Sequence, residues 1–522
     1  MRRRDVLGAG VAAGMGAALL SGCAPRREIA GGFNGISVER GHLLRSETRT
    51  ERPAPSSTQR TRILIAGGGI AGLAAARALR LRGIDDYRLL ELEDQAGGNS
   101  RSGAVNGIAC PLGAHYLPVP GNDAHEVQDL LEELGLRKRV AGRWTYDERH
   151  LCHSPQERLF FNGQWQEGLL PVQEVSPATI AQYQRFAKRV EEAQRSARFV
   201  IPASRQQAAP LHQTLDALTF DAWLTQQGMD DPHLRWYLDY CCRDDYGAGP
   251  ATVSAWAGIH YFASRHGFWA PGLETTEREG VLTWPQGNGW LAQQLAAPLG
   301  ERLLAGRVVS RISQTRHGVE VDAYNVQTRT TERWQADHCI VALPVFIAAR
   351  VVQDAPGFLR EAATRVRYAP WAVANIHIRE PLHDRPGAPP SWDNVIYGAA
   401  GLGYVNAMHQ SLRPDAGPTV LTCYRALGDL PDGRRQLLEQ PWAYWRDTLL
   451  AELSAPHPDL PDKATRIDVT RYGHAMAIPV PGRVKPPPVA GRLSFAHSDW
   501  AGYSIFEEAF TFGHLAAASL AR

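Results

Sequence analysis

The sequence is poor in lysine, in patterned cysteine and in long apolar runs, and each scarcity excludes something. Only four of its 522 residues are lysine (Lys138, Lys188, Lys463 and Lys485), so arginine carries nearly all the basic charge. Chemistry that needs a lysine amine has few places to sit. The seven cysteines (Cys23, Cys110, Cys152, Cys241, Cys242, Cys339 and Cys423) show neither CxxC nor zinc spacing. Adjacent Cys241 and Cys242 suit neither an ordinary disulfide nor a tetrahedral metal site, so buried free thiols are expected. His233, His260 and His266 lack companion ligands, and no metal is expected. Repeats and heptads are absent. No apolar run reaches the ~20 residues of a good membrane span. The formal net charge is +2, which Arg2, Arg3, Arg4 and Asp5 alone account for. The rest is near neutral, which argues against a nucleic-acid partner or a polybasic membrane face. There is no GxSxG elbow, and one strand cannot arrange Ser494, His497 and Asp499 as a triad, so a hydrolase is excluded.

What is present suits a soluble protein of two domains, or of one domain with a large insertion. Hydrophobic residues make up 44% and charged residues 21%, which is ordinary. The first 23 residues read as a targeting segment and stand outside the fold. Arg3-Arg4-Asp5-Val6-Leu7 resembles a twin-arginine export signal. A short Gly/Ala-rich apolar run follows, ending in Leu20-Ser21-Gly22-Cys23, which resembles a lipobox with Cys23 as the lipidated residue. The resemblance implies export in folded form to the periplasm and a lipid tether to the cytoplasmic or outer membrane. An uncleaved amphipathic anchor is the competing reading. Residues 24–60 are polar and rich in Arg, Gly, Ser, Thr and Pro, and are expected to be a linker. No role is assigned to Gly41-His42-Leu43-Leu44-Arg45.

Arg62-Ile63-Leu64-Ile65-Ala66 is a short apolar run suited to a buried parallel strand. Gly67-Gly68-Gly69-Ile70-Ala71-Gly72 follows directly, a GxGxxG with glycines at 67, 69 and 72. Gly67 permits the tight turn, Gly69 lets a diphosphate approach the backbone, and Gly72 lets helix and strand pack closely. The amides around Ile70 and Ala71 would open the helix that holds the diphosphate. A second strand, Tyr87 to Leu90, ends at Glu91, 24 residues after Gly67, where an acidic side chain binds ribose hydroxyls.

Glu91 is followed by Leu92-Glu93-Asp94-Gln95-Ala96-Gly97-Gly98. This spacing resembles the flavin amine oxidase superfamily, which includes phytoene desaturases and protoporphyrinogen oxidases. The resemblance implies an α/β fold: a Rossmann-type FAD-binding domain (61–120, 285–345 and 471–522) with an inserted α+β substrate domain (121–284 and 346–470). It places Gly97 and Gly98 along the FAD diphosphate, with Asn99 where arginine is usual and Arg101 as its substitute. Pro111 stands where the next superfamily segment usually has aspartate. Gly306 to Ile312 is similar to the strand that meets the adenine, through Val309. Asp337 to Pro344 resembles the strand returning to the FAD domain. Phe495 to Gly513 resembles the closing strand and helix, which puts Asp499 by the ribityl phosphate and the amides of Glu507, Glu508 and Ala509 against the flavin's pyrimidine edge.

The implied activity is FAD-dependent oxidation, with a hydride passing from an amine or related small molecule to flavin N5. A carotenoid- or porphyrinogen-type desaturase and a non-catalytic flavin-binding lipoprotein are the alternatives. The lysine that many such amine oxidases carry near N5 should fall in Arg367 to Ile378, where Ala372, Val373, Ala374 and Asn375 stand instead. Arg471 to Pro479 lacks the cysteine that bears covalent flavin in monoamine oxidases, so FAD is expected to be non-covalent. No catalytic residue and no electron acceptor is assigned. Trp236 to Tyr246, with Asp244 and Asp245, reads either as an aromatic pocket that anchors a cation or, preferred, as plain core with capping acids.

Overall fold

The computed structural model describes residues 28–45, 54–272, 280–409, 411 and 416–520. The expected targeting segment, residues 1–23 with Cys23, lies outside the described residues. Ile63, Leu64, Ile65 and Ala66 are almost fully buried, as an apolar run must be in a parallel strand covered on both faces. They end the strand Pro55–Ala66, which has parallel neighbours in Tyr87–Leu90 and Thr330–Val341. Leu303–Leu304 extends one side in parallel; Leu493–Phe495 pairs with Thr330–Val341, also in parallel. Val319–Asn325 and Arg307–Gln314 add antiparallel strands beyond it, completing seven. The helix Ile70–Leu81 and the closing helix Phe506–Ser519 pack on each other in this domain.

The second body is an eight-stranded mixed sheet. Its order is Ala30–Phe33, Ala464–Ile478, Arg367–Ile378, Thr419–Ala426, Tyr404–Asn406, Asp393–Ile396, Glu157–Phe161 and Gln164–Glu167. Arg367–Ile378 is buried from Ala369 onward, fitting its central place and long apolar stretch. Helices cluster beside this sheet. In Pro177–Ser196, Ser176 caps the Thr179 amide at 3.1 Å, and Tyr183, Phe186, Ala187 and Val190 form the buried stripe. Pro232–Tyr246 starts on the Asp231 carboxylate, which accepts from the His233 and Leu234 amides, and stops at Gly247, whose φ of +75° glycine adopts without strain.

Two expectations need correcting. The expected linker, residues 24–60, is structured in its described part: Ala30–Phe33 joins the eight-stranded sheet, Val38–His42 is a helix, and Pro55–Arg60 extends the first Rossmann strand against Thr331–Gln335. Most of those strand residues are exposed, so their polarity imitates a linker. The expected boundary after residue 470 falls inside Ala464–Ile478, a single strand of the substrate sheet, because its twelve-residue partner Arg367–Ile378 continues past that point. The six described cysteines are free thiols, and all but Cys152 are buried.

Candidate active site

The turn after Pro55–Ala66 is shaped by what a side chain would hit. Gly67 has φ +105°, and a Cβ there would lie 2.3 Å from the Ala342 carbonyl oxygen. At Gly72 a Cβ would lie 1.9 Å from the Gly67 carbonyl oxygen, so this glycine brings helix and strand together. Gly69 is different. The nearest atom to its missing Cβ is the Gly98 Cα at 4.0 Å, and its open side faces a cavity. Gly97 docks on the same turn, its amide donating to the Gly68 carbonyl at 2.8 Å. Two glycine turns thus lie against each other and present bare backbone.

Glu91 lines the cavity beside them. Its Oε2 accepts from the Gly68 amide at 2.9 Å and its Oε1 from the Glu93 amide at 2.8 Å. Burial pushes its carboxyl up to about 7 against those two bonds. Val309 reaches the same cavity from its antiparallel strand, next to a bulge before Arg311.

The cavity, about 890 Å³, runs from these turns to Asp499 and the start of the closing helix. Asp499 Oδ2 accepts from the Val345 amide at 2.9 Å and the Tyr368 hydroxyl at 2.5 Å, and Oδ1 lies 3.0 Å from His497 Nδ1. Burial alone would raise this carboxyl, yet His497, Tyr368 and Val345 hold it below the usual carboxylate range. Ile505, Phe506, Glu507 and Ala509 line the cavity at the helix N-terminus, whose free amides favour negative charge.

Gly67, Gly69, Ile70, Ala71, Glu91, Gly97, Gly98, Asn99, Val309, Asp499, Glu507 and Ala509 therefore converge on one space. Three expected site residues do not line it. Gly72 acts one layer behind, through packing. Arg101 is buried behind Gly97, 3.8 Å from Glu93, and its Nε and Nη1 find no hydrogen-bond partner. Glu508 turns its carboxylate to the Tyr503 hydroxyl (2.7 Å) and the Ala203 amide, so only its main chain belongs to the helix start. Asn99 lines the cavity and donates to the Ala475 carbonyl.

Beyond the closing helix the cavity ends among side chains of a different kind. The His115 ring stacks on Tyr424, centroids 4.4 Å apart, and lies 5.3 Å from Trp392, which Tyr116 meets edge-on at 5.8 Å. Burial drives the His115 pKa down to about 3, so this imidazole is neutral. Tyr424 is fixed by donating to the Gly113 carbonyl at 2.9 Å. Trp371 and Val373 reach in from the central strand. Among the described lining residues there is no lysine and no cysteine.

Asp244, Asp245 and Arg265 line the same end. The preferred expectation is corrected for its acids only: Asp244 and Asp245, in the last turn of Pro232–Tyr246, line the cavity, whereas Tyr240 and Tyr246 are core as expected and no aromatic of this helix lines it. Arg265 reaches Asp245 at 3.3 Å and lies over the Tyr261 ring at 4.6 Å. Burial, with Asp245 next, pushes the Asp244 carboxyl up to about 7. Burial likewise pushes Glu507 up to about 7. His260 reads as core as expected, its Nε2 3.0 Å from the Val200 carbonyl oxygen and its ring on Trp256. Tyr424 and Arg265 carried no sequence signal, since each comes from a different segment, and His115 entered only as the end of the Pro111–His115 segment that resembles the superfamily, with no role assigned.

A cavity of this size, lined both by bare glycine backbone and by a helix N-terminus, fits a dinucleotide carrying a ring system. This is the construction of a Rossmann-type FAD enzyme with a separate substrate domain. The comparisons agree. Residues 70–521 match the family model described as flavin containing amine oxidoreductase, and the chain belongs to that family.

The chain is 28% identical over 315 residues to an L-amino acid dehydrogenase of Synechocystis, covering 58% of this chain and 59% of that protein. It is 24% identical over 330 residues to human flavin-containing amine oxidase B, covering 61% and 58%. It thus spans about three-fifths of the curated relatives it matches. Among solved structures, a putrescine oxidase double mutant superposes with a TM-score of 0.66 at 17% identity, over 89% of this chain and 100% of that one. Cyclohexylamine oxidase from Brevibacterium oxydans gives 0.62 at 19%, over 88% and 98%. At such identity these two likenesses speak for the fold.

Proposed function

We propose that the protein oxidises a cationic amine, with FAD held non-covalently and the amine end placed among Asp244, Asp245 and Glu507. The observation that carries this reading is that three carboxyls, Asp244 and Asp245 with Glu507 at the closing-helix start, line one cavity together with aromatic rings, while Arg265 is already paired to Asp245. An ammonium group is attracted by such carboxylates and by ring faces. A polyene or porphyrinogen would gain nothing from them, and a substrate carboxylate would be repelled by Asp244. The similar solved structures are of a putrescine oxidase and a cyclohexylamine oxidase, both named for amines, which supports the same class.

Bound FAD supplies a two-electron acceptor for a hydride from the carbon beside nitrogen. The chain's residues do the rest. Gly67 to Ala71 and Gly97 to Gly98 offer backbone to the diphosphate, and Glu91 sits where a ribose would lie. The Glu507 to Ala509 helix start favours negative charge on a reduced ring. Asp244 and Glu507, with pKa values near 7, draw the substrate ammonium and accept its proton, leaving the neutral amine that can be oxidised. His115 stays uncharged, so it does not oppose a cation.

The leader supports a location: export in folded form, then a lipid on Cys23 holding the enzyme to the periplasmic side of the cytoplasmic or outer membrane. Anaerobic addition of monoamines, diamines, amino acids and polyenes to the purified protein tests the chemistry. Bleaching of the flavin absorbance by amines is expected. Bleaching by polyenes alone, or by no compound in the panel, overturns the reading. Cys23→Ser should release the protein from the membrane fraction; retention there rejects the tether.

A further inference from the structure

A segment outside the matched family region closes part of the cofactor cavity. It begins as the strand Ala30–Phe33, laid parallel on the edge strand of the substrate sheet with Ala30 opposite Arg466 and Phe33 opposite Val469. The fit is close. At Gly31, φ +149°, a Cβ would lie 1.8 Å from the Ile467 carbonyl oxygen, so only glycine allows this approach. The Arg471 guanidinium covers the Phe33 ring at 3.7 Å, and the Asn34 amide donates to the Val469 carbonyl at 3.1 Å. This end of the segment belongs to the substrate domain.

The next ten residues cross to the FAD domain. The Ser37 amide donates to Glu93 Oε1 at 2.9 Å, two residues after Glu91. Arg40 Nη1 donates to Asp94 Oδ1 at 2.8 Å and lies 3.4 Å from the Leu92 carbonyl oxygen. Arg350 Nη1 donates to the Leu44 carbonyl at 2.9 Å, and the Leu44 side chain is buried in the main core. Between these fastenings Ile36, Ser37, Val38, Gly41, His42 and Leu44 line the same cavity as Gly67 to Ala71 and Glu91. The family match begins only at residue 70.

We propose that residues 30–45 are a strap that completes the cofactor site and holds FAD in place, fastened to both domains across the ribose and diphosphate part of the cavity. Residues 36–44 are then part of the binding wall, and FAD leaves by that face only after the strap lifts. This rests on the flavin reading above. A wild-type protein purified without flavin defeats that reading, whereas the strap is judged by the rate at which bound flavin leaves.

The test uses the mature holoenzyme and follows the rise of free-flavin fluorescence after dilution. Gly31→Val prevents the strand from seating, and Arg40→Ala cuts the fastening to Asp94. Gly31→Val is expected to speed FAD release about tenfold or more, and Arg40→Ala, whose partner Asp94 is exposed, about two- to fivefold, the scale of an exposed ion pair. Leu224→Ala is the control. It removes a buried side chain from the helix Phe220–Gln226, no residue of which lines the cavity, lowering Tm away from the strap, and should release FAD at the wild-type rate. Strap variants that also release at the wild-type rate overturn the proposal. So does a control that releases as fast as they do, since the effect would then be general loosening.

Discussion

The two ends of the cavity are built by opposite means. The nucleotide end is mostly backbone: Gly67, Gly69, Gly97 and Gly98 work by having no side chain, and the one acid there, Glu91, is fixed by two main-chain amides. The substrate end is side chain throughout. His115, Asp244, Arg265, Trp371 and Tyr424 come from five separate stretches and meet only because two domains are folded together. A backbone site tolerates no added atoms, whereas a side-chain site degrades by degrees.

Substitutions should expose that difference. The largest effect is expected from Gly69→Glu, which fills the open side of the turn with a charged side chain. The purified variant should lack flavin absorbance; a fully flavin-loaded variant would show that no diphosphate passes there. Next, Asp244→Asn should keep its FAD yet lose about 10- to 150-fold in kcat/KM for the best amine, the range of about 1.5–3 kcal/mol for a hydrogen bond to a charged group. A variant that instead loses FAD would merge the two ends into one site.

A pH profile sharpens the same contrast. Burial first, then Asp245, raises the Asp244 carboxyl to about 7. It is therefore largely protonated at pH 6 and ionised at pH 8, so kcat/KM should climb through neutrality in the wild type. The climb should be shallower in Asp244→Asn, and an unchanged profile removes Asp244 from the role. The smallest effect is expected from Tyr424→Phe. It keeps the ring on His115 but strands the Gly113 carbonyl, costing about 1 kcal/mol of stability. Denaturant unfolding should detect this, with flavin content unchanged.

Legibility followed the same division. Gly67, Gly69 and Gly72, then Glu91 and Gly97-Gly98, sit at spacings set by one strand, one turn and one helix, so they could be read in order along the chain. Asp499 and the Glu507 helix start were read only through family resemblance. Arg101 was misplaced because a sequence does not say which way a side chain turns once both sides are buried: it lies behind Gly97. Asp244 and Asp245 looked like helix-ending acids, and their composition is identical in either role. The strap was hidden by its polarity, since an exposed edge strand and a linker draw on the same residues.

The sequence by itself determined the Rossmann core and its glycine turns, because those depend on local geometry that only certain residues can adopt. It also determined that no lysine stands on Arg367–Ile378. The tertiary structure alone decided which acids line the cavity, that Ala30–Phe33 joins a sheet, and that residues 36–44 border the same space. These are contacts between distant segments, and their energies depend on burial and direction, which exist only once the chain has folded.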